Sequence, residues 1–448
     1  VDSGGGTCYK WTETFQKVEE LTVERIAARI KHMAGYVVVL AKWLVLGALI
    51  GAVGGFVGSL FHIGVNYATS ERLRYPWILY LLPLAGLVIV WLYKAAGVWG
   101  KGTNAVIESV HFGKDVPVQL VPVIFLATVL THLCGGSAGR EGAALQIGGG
   151  IGHETGKLLH LGEKDLPLAT LCGMAGVFSA LFGTPLTATV FALEVISVGV
   201  LYYAGLVPCI TSAMVGYLVS LAMGVPPTRF TVTAPALSAW TMVLVLALGI
   251  GCAVVSILFC QGLHRTERLA EKYLKNPWLR AVVGGCIVIA LTKLVGTGDY
   301  NGAGMDVIER AVAGEASGWA WVLKLLFTAV TIGFGFKGGE VVPSFFVGAT
   351  FGCVAGLLLG LPDRVGHPLD RAVRLGRAAL FRDGLRRELS ALWLLRALQQ
   401  PDHPLLQAAR GVHQRPREVI LADFAKMRVF PLAFLRRIGY NDAIIPNI

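Results

Sequence analysis

Residues 135–152 read GGSAGREGAALQIGGGIG, in which eight glycines surround one Arg–Glu pair, Arg140 and Glu141, directly after an apolar run, Val116–Leu133. Glycine at this density lets backbone turn tightly and approach another group closely. A helix beginning near Arg140 points unpaired backbone N–H groups, with their partial positive charge, at whatever precedes it. Such a start holds anions. Within a membrane, non-helical backbone is tolerated only where protein covers it or where it lines a wet cavity. Glu141 then faces that cavity, and so faces the anion. Close packing of small residues between membrane helices, with Glu141 at a wet helix end, gives the same composition. A phosphate loop does not fit, because neither G-x-x-x-x-G-K-[ST] nor G-x-G-x-x-G after a strand is present.

The elements that must carry this stretch are membrane helices. Of 448 residues 54% are hydrophobic and only 15% charged, where a soluble protein carries about a quarter charged. Apolar runs long enough to span about 30 Å of hydrocarbon recur along the chain. The fold class is therefore all-α and polytopic. The eight cysteines include no C-x-x-C pair, and most lie in or beside apolar segments as small buried hydrophobes. A net charge of +11 suits cytoplasmic loops and anionic membrane lipid and does not call for a nucleic-acid partner.

In chain order, residues 1–35 contain an amphipathic helix, Thr14–Met33, lying on the membrane or against the protein. Tyr36–Ala68 is the first apolar run, with Gly47, Gly51, Gly54, Gly55 and Gly58 spaced for close helix approach. Pro76–Ala96 and Val116–Leu133 are further spans, separated by a polar break, Gly97–Ser109. Leu166–Phe182, Thr184–Val200 and Leu201–Met223 follow, and a proline-bearing linker, Gly224–Ala236, closes the first series. The second series runs Trp240–Gly262, a charged loop His264–Lys275, Leu279–Val295, a break Gly296–Glu309, Trp319–Ile332, and a glycine-rich stretch Gly333–Gly352.

The two series match. Gly100-x-Gly102 precedes Ile107-Glu108, and Gly302-x-Gly304 precedes Ile308-Glu309, at an offset of 202; Glu141 and Glu340 stand 199 apart. Two pairs in one order at nearly the same offset indicate an internal duplication, residues 36–225 and 234–361. Duplicated membrane halves enclose a site between them, built from interrupted helices whose positive starts face an anion. The duplication favours the anion site over simple packing.

GGSAGREGAALQIGG and GGEVVPSFFVGATFG resemble the signature loops of the chloride-channel (CLC) family of anion channels and proton-coupled antiporters, over residues 36–361. The resemblance implies a CLC-type inverted repeat with interrupted helices, and a homodimer in which each subunit has its own pore. It implies that Glu141 is the external gate, competing with the anion for one site and carrying the proton. Gly102, Thr103, Asn104, Gly139, Arg140, Gly142, Val341 and Val342 are then the anion-binding positions, with Arg140 in a supporting role. Gly100-Lys101-Gly102-Thr103-Asn104 stands where the chloride branch has G-S-G-I-P, Gly339-Glu340-Val341-Val342-Pro343 replaces G-x-F-x-P, and Val195 replaces an acid after Glu194. These departures resemble the bacterial fluoride/proton antiporter branch, with Val342 where threonine is usual. The implied function is fluoride export in exchange for protons, in the bacterial inner membrane. A chloride channel or chloride/proton antiporter of the same fold is the alternative, and an inactive truncated copy another. No cofactor, metal or enzymatic activity is implied.

Physical chemistry agrees with the resemblance. Stripping water from a small anion costs several kcal/mol unless polar groups replace the hydration shell, and backbone N–H groups do so without a fixed cation that would trap it. Arg140 is expected to snorkel to the rim or pair with a local acid. Glu194 reads as a structural acid near a helix end rather than an inner proton relay, Glu108 and Glu309 as loop-folding acids, and His62, His132 and His153 as packed histidines. Residues 362–448 break the pattern: 14 Arg and 1 Lys stand against 8 Asp and Glu, and no run could span a membrane. The second repeat therefore reads as incomplete. The tail is either a soluble extension or an out-of-frame translation of the missing helices, and its non-periodic Arg, Leu, His and Pro favour the latter. Tyr440 does not fit the family's inner tyrosine.

Overall fold

The computed structural model describes residues 5–195, 202–228 and 239–359, all within one unit of the chain. The basic tail with Tyr440, the end of the Thr184–Val200 run and most of the proline linker lie outside the described residues. The first half contains α1 (Gly5–Arg74), a 3-10 turn (Pro76–Leu81), α2 (Leu82–Ala95), α3 (Thr103–Phe112), α4 (Leu120–Leu133), α5 (Glu141–Leu158), α6 (Leu166–Phe182), α7 (Pro185–Glu194) and α8 (Leu206–Ala222). The second half contains α9 (Ala239–Tyr273), α10 (Pro277–Val295), α11 (Met305–Val312), α12 (Ala320–Gly333) and α13 (Val341–Leu358). Among the described residues five helices are long and apolar enough to cross a membrane, within His32–Arg74, Pro76–Ala95, Tyr203–Ala222, Met242–Tyr273 and Pro277–Val295. Four further apolar helices, α4, α6, α12 and α13, are shorter.

Three boundaries differ from the sequence reading. The amphipathic segment and the first apolar run join in one helix of 70 residues. Only Ala34 and Gly35 stand between them, and a single glycine costs a helix about 1 kcal/mol without breaking it. The expected charged loop His264–Lys275 is helical as far as Tyr273. Its residues, Arg, Glu, Leu, Ala and Lys, are strong helix formers, so charge marks where α9 leaves the apolar layer rather than where it ends. The two glycine breaks are also only half open, since α3 and α11 begin inside them. Gly302 and Gly304 turn the chain at φ 64° and 77°, values that glycine adopts without strain, just before α11 starts.

Small residues set how closely the helices pack. Gly47, Gly51 and Gly55 of α1 lie one turn apart and face Pro208, Ser212 and Gly216 of α8, also one turn apart. A Cβ on Gly55 would fall 2.7 Å from the Gly216 Cα. Gly148 and Gly152 of α5 meet Gly173 and Ala169 of α6 in the same way. Backbones this close gain dispersion contacts over their whole length, the main source of helix association where no water is displaced. The result is a rigid frame of α1, α5, α6 and α8 that fixes where α5 starts.

Candidate functional site

The glycine stretches of the two repeats meet each other. Gly139 and Gly339 form an antiparallel bridge, N–H to carbonyl in both directions at 2.7 and 2.6 Å. Side chains are excluded there: a Cβ on Gly139 would run into Glu141 Oε2, and one on Gly339 would lie 2.7 Å from Gly142 N. The pairing brings the starts of α5 and α13 together, as the duplication requires.

Glu141 is the first residue of α5 and is fully buried. Its Oε2 accepts the backbone N–H of Arg140 at 3.0 Å and, across the repeats, that of Val342 at 3.2 Å. Its Oε1 has no hydrogen-bond partner among the described residues. The carboxylate thus occupies donors that two helix starts supply together. Gly139, Arg140, Gly142 and Val342 gather around it, and Val341 opens α13 beside them.

The Arg140 side chain departs from the reading that it snorkels or pairs with an acid. It is 7% exposed, lies 5.8 Å from the Phe182 ring centroid, and donates to Asn66 Oδ1 at 3.3 Å. Asn66 in turn bonds His62 Nε2 at 2.7 Å. The guanidinium is buried, and the partners it meets are a neutral amide, that of the exposed Asn66, and a ring face.

Gly102, Thr103 and Asn104 form a separate start, that of α3. No side chain caps it, and Asn104 is exposed. Its link to α5 is a bond from Gln146 Nε2 to Thr103 Oγ1 at 3.1 Å. Thr103 therefore touches the helix that carries Glu141 at a point away from the carboxylate.

The sequence reading passed over the groups that pin the crossing. Ser137 N–H donates to Thr331 Oγ1 at 3.0 Å, and the Ser137 and Thr328 hydroxyls lie 3.0 Å apart. Asn301 Nδ2 donates to the Gly135 carbonyl at 2.7 Å, and Gly302 N–H to that of Gly136 at 3.0 Å. Behind them Lys324, fully buried in α12, donates to the carbonyls of Gly302 at 2.7 Å and Tyr300 at 3.2 Å. A lone lysine in the run AWVLKLLFTAVTIG was a legible signal, because an intramembrane charge is costly and marks a site. Asn66 carried no such signal. Of the acids and histidines set aside, Glu108 pairs with Lys114, His132 Nδ1 lies 2.8 Å from the Thr128 carbonyl, and His153 faces Asp115.

Residues 85–403 match the family model described as voltage gated chloride channel. A "Chloride/fluoride channel protein" of Pseudomonas syringae pv. tomato is 33% identical over 332 residues, 72% of this chain and 74% of that protein. Among solved structures, a CLC-type fluoride/proton antiporter aligns with a TM-score of 0.71 at 30% identity, covering 78% of this chain and 90% of that one. A slow cyanobacterial Cl−/H+ antiporter shares the fold, with a TM-score of 0.65 at 18% identity over 79% and 89% of the two chains.

Proposed function

The chain belongs to the voltage gated chloride channel family, and from that premise we propose that it is a proton-coupled anion transporter exporting fluoride in exchange for protons. The observation that carries this is the Glu141 carboxylate seated on the Val342 N–H, at the meeting of the α5 and α13 starts. An ionised carboxylate and a small anion want the same donors, so one displaces the other. When the anion holds the site the carboxylate is free to swing toward water and take a proton; when it returns it must first give that proton up. Gly139 and Gly142 let the backbones close on the site, Val341 and Val342 supply N–H groups, and Arg140 adds buried positive charge. Gly102, Thr103 and Asn104 make the further anion position at the start of α3.

Fluoride rather than chloride follows from the loops Gly100–Asn104 and Gly339–Pro343, which depart from the chloride-branch sequences. The names of two relatives at 30% identity or above, which mention fluoride, support the same choice. We place the protein as a homodimer in a bacterial inner membrane, each subunit with its own pathway. Purified protein in liposomes, given matched fluoride and chloride gradients, tests the reading. Fluoride should move faster and drive proton movement the opposite way. Chloride flux equal to or above that of fluoride would assign the protein to chloride instead.

A further inference from the structure

Helices α5 and α13 hold equivalent places in the two repeats, and their sixth residues are Gln146 and Phe346. The two do different things. Phe346 fills its place: its ring packs on Gly304, where a Cβ would lie 2.7 Å from Cδ2, and the Lys324 ammonium sits 5.0 Å from the ring centroid. Gln146 instead holds a carboxamide, 7% exposed, against Thr103 at the uncapped start of α3. Its Oε1 is buried and has no partner among the described residues.

That deficit survives any assignment of the amide. With Nε2 donating to Thr103 Oγ1, one buried acceptor is left over. Turned by 180°, Oε1 accepts from the Thr103 hydroxyl and both Nε2 hydrogens are left over instead. The hydroxyl can serve only one end. A small anion resolves the second arrangement completely, because it accepts the two N–H bonds beside the positive start of α3. We propose that Gln146 is an anion ligand, and that with Thr103 it forms a selective site at the start of α3, about 7.5 Å along α5 from Glu141 at 1.5 Å per residue. The assignment rests on the anion transport proposed above and deepens it. A neutral amide replaces hydration without a fixed charge that would hold the ion too long. Fluoride, the stronger hydrogen-bond acceptor, depends on these donors more than chloride does.

The test compares the full chain with Gln146→Met, which keeps length but cannot donate, and Gln146→Glu, which keeps the Thr103 hydroxyl bond but adds a negative charge. Fluoride and chloride KM are read from liposome flux, and fluoride binding from calorimetry on detergent-solubilised protein. Gln146→Met should weaken fluoride by roughly tenfold or more, the usual effect of losing a hydrogen bond to a charged group. Chloride should weaken less, and the proton-to-anion ratio should hold because Glu141 is untouched. Gln146→Glu should lose fluoride binding altogether. Fluoride affinity unchanged in Gln146→Met, or retained in Gln146→Glu, overturns the assignment and leaves Gln146 a packing residue. Were Gln146→Met to misfold, Gln146→Glu and the calorimetric readout would still decide. Wild-type protein that moves neither anion sinks the transport reading instead, and calorimetry on wild type and Gln146→Glu then tests the ligand role by itself.

Discussion

Replacing Glu141 with glutamine separates the anion from the proton. In the structure Oε2 accepts two backbone N–H groups, from Arg140 and Val342, at 3.0 and 3.2 Å. Hydrogen bonds to a charged acceptor contribute about 1.5–3 kcal/mol each and neutral ones about 0.5–1.5. The amide keeps the shape, so the change weakens the side chain's hold on the two donors by about 2–3 kcal/mol in all. At 1.4 kcal/mol per tenfold, an anion competing for those donors gains roughly 30- to 150-fold. Glu141→Gln should therefore keep or raise anion movement while abolishing proton movement, since an amide cannot ionise. The assay is liposomes loaded with fluoride or chloride, with an external pH electrode and an anion electrode read together. Undiminished proton uptake in a mutant that still passes anions would show that the proton takes another route, and the competition argument would be wrong.

Gly339→Ala should leave a folded protein that does not transport, because its Cβ would fall 2.7 Å from Gly142 N and 2.9 Å from Glu141 N; transport near the wild-type rate would show that the two helix starts need not touch. Gly51→Leu drives a side chain into the Ser212 backbone of α8 and should cost about 1–3 kcal/mol or more, seen as a lowered melting temperature in detergent, whereas an unchanged value would mean that the α1–α8 contact is dispensable. Lys324→Ala leaves the Tyr300 and Gly302 carbonyls unpaired in a buried crossing, at about 1–3 kcal/mol per group, and should lower thermal stability more than Lys324→Arg; the reverse order would make the buried charge itself the liability.

The spacing of motifs carried a great deal of this architecture. Glycine-x-glycine breaks and Gly-Glu pairs recurring near an offset of 200 residues imply that the two glycine stretches stand in equivalent places; the structure pairs Gly139 with Gly339, one residue beyond the Gly338 that the Glu141–Glu340 match makes its counterpart. Glycine stripes one turn apart on α1 found matching stripes on α8 because close approach requires small residues on both partners. Helix ends were harder to read. The His264–Tyr273 segment is charged but helical, since hydropathy reports the surroundings of a segment and not its backbone. Partners distant in sequence could not be read at all: nothing local to Asn66 says that it will meet Arg140 74 positions on, and nothing local to Lys324 says which carbonyls it will hold.

The unreadable contacts share one property, and it bears on how the site works. Duplication fixes the backbone pattern twice, yet the side chains around the two copies have diverged. Position for position, the first repeat places Ile124 and Gln146 where the second places Lys324 and Phe346. The second repeat's break is thereby closed, tied through its carbonyls to an ammonium and filled by an aromatic ring. The first repeat's break keeps a polar amide and a hydroxyl at a bare helix start. In the proposed transport the anion meets the polar break of the first repeat, while the matching break of the second is filled, and Glu141 stands between the repeats. The anion and proton gradients set the direction of net movement; these contacts couple the two ions and do not orient them. The divergence that hides these residues from a motif search is the same one that leaves the first break polar and the second closed.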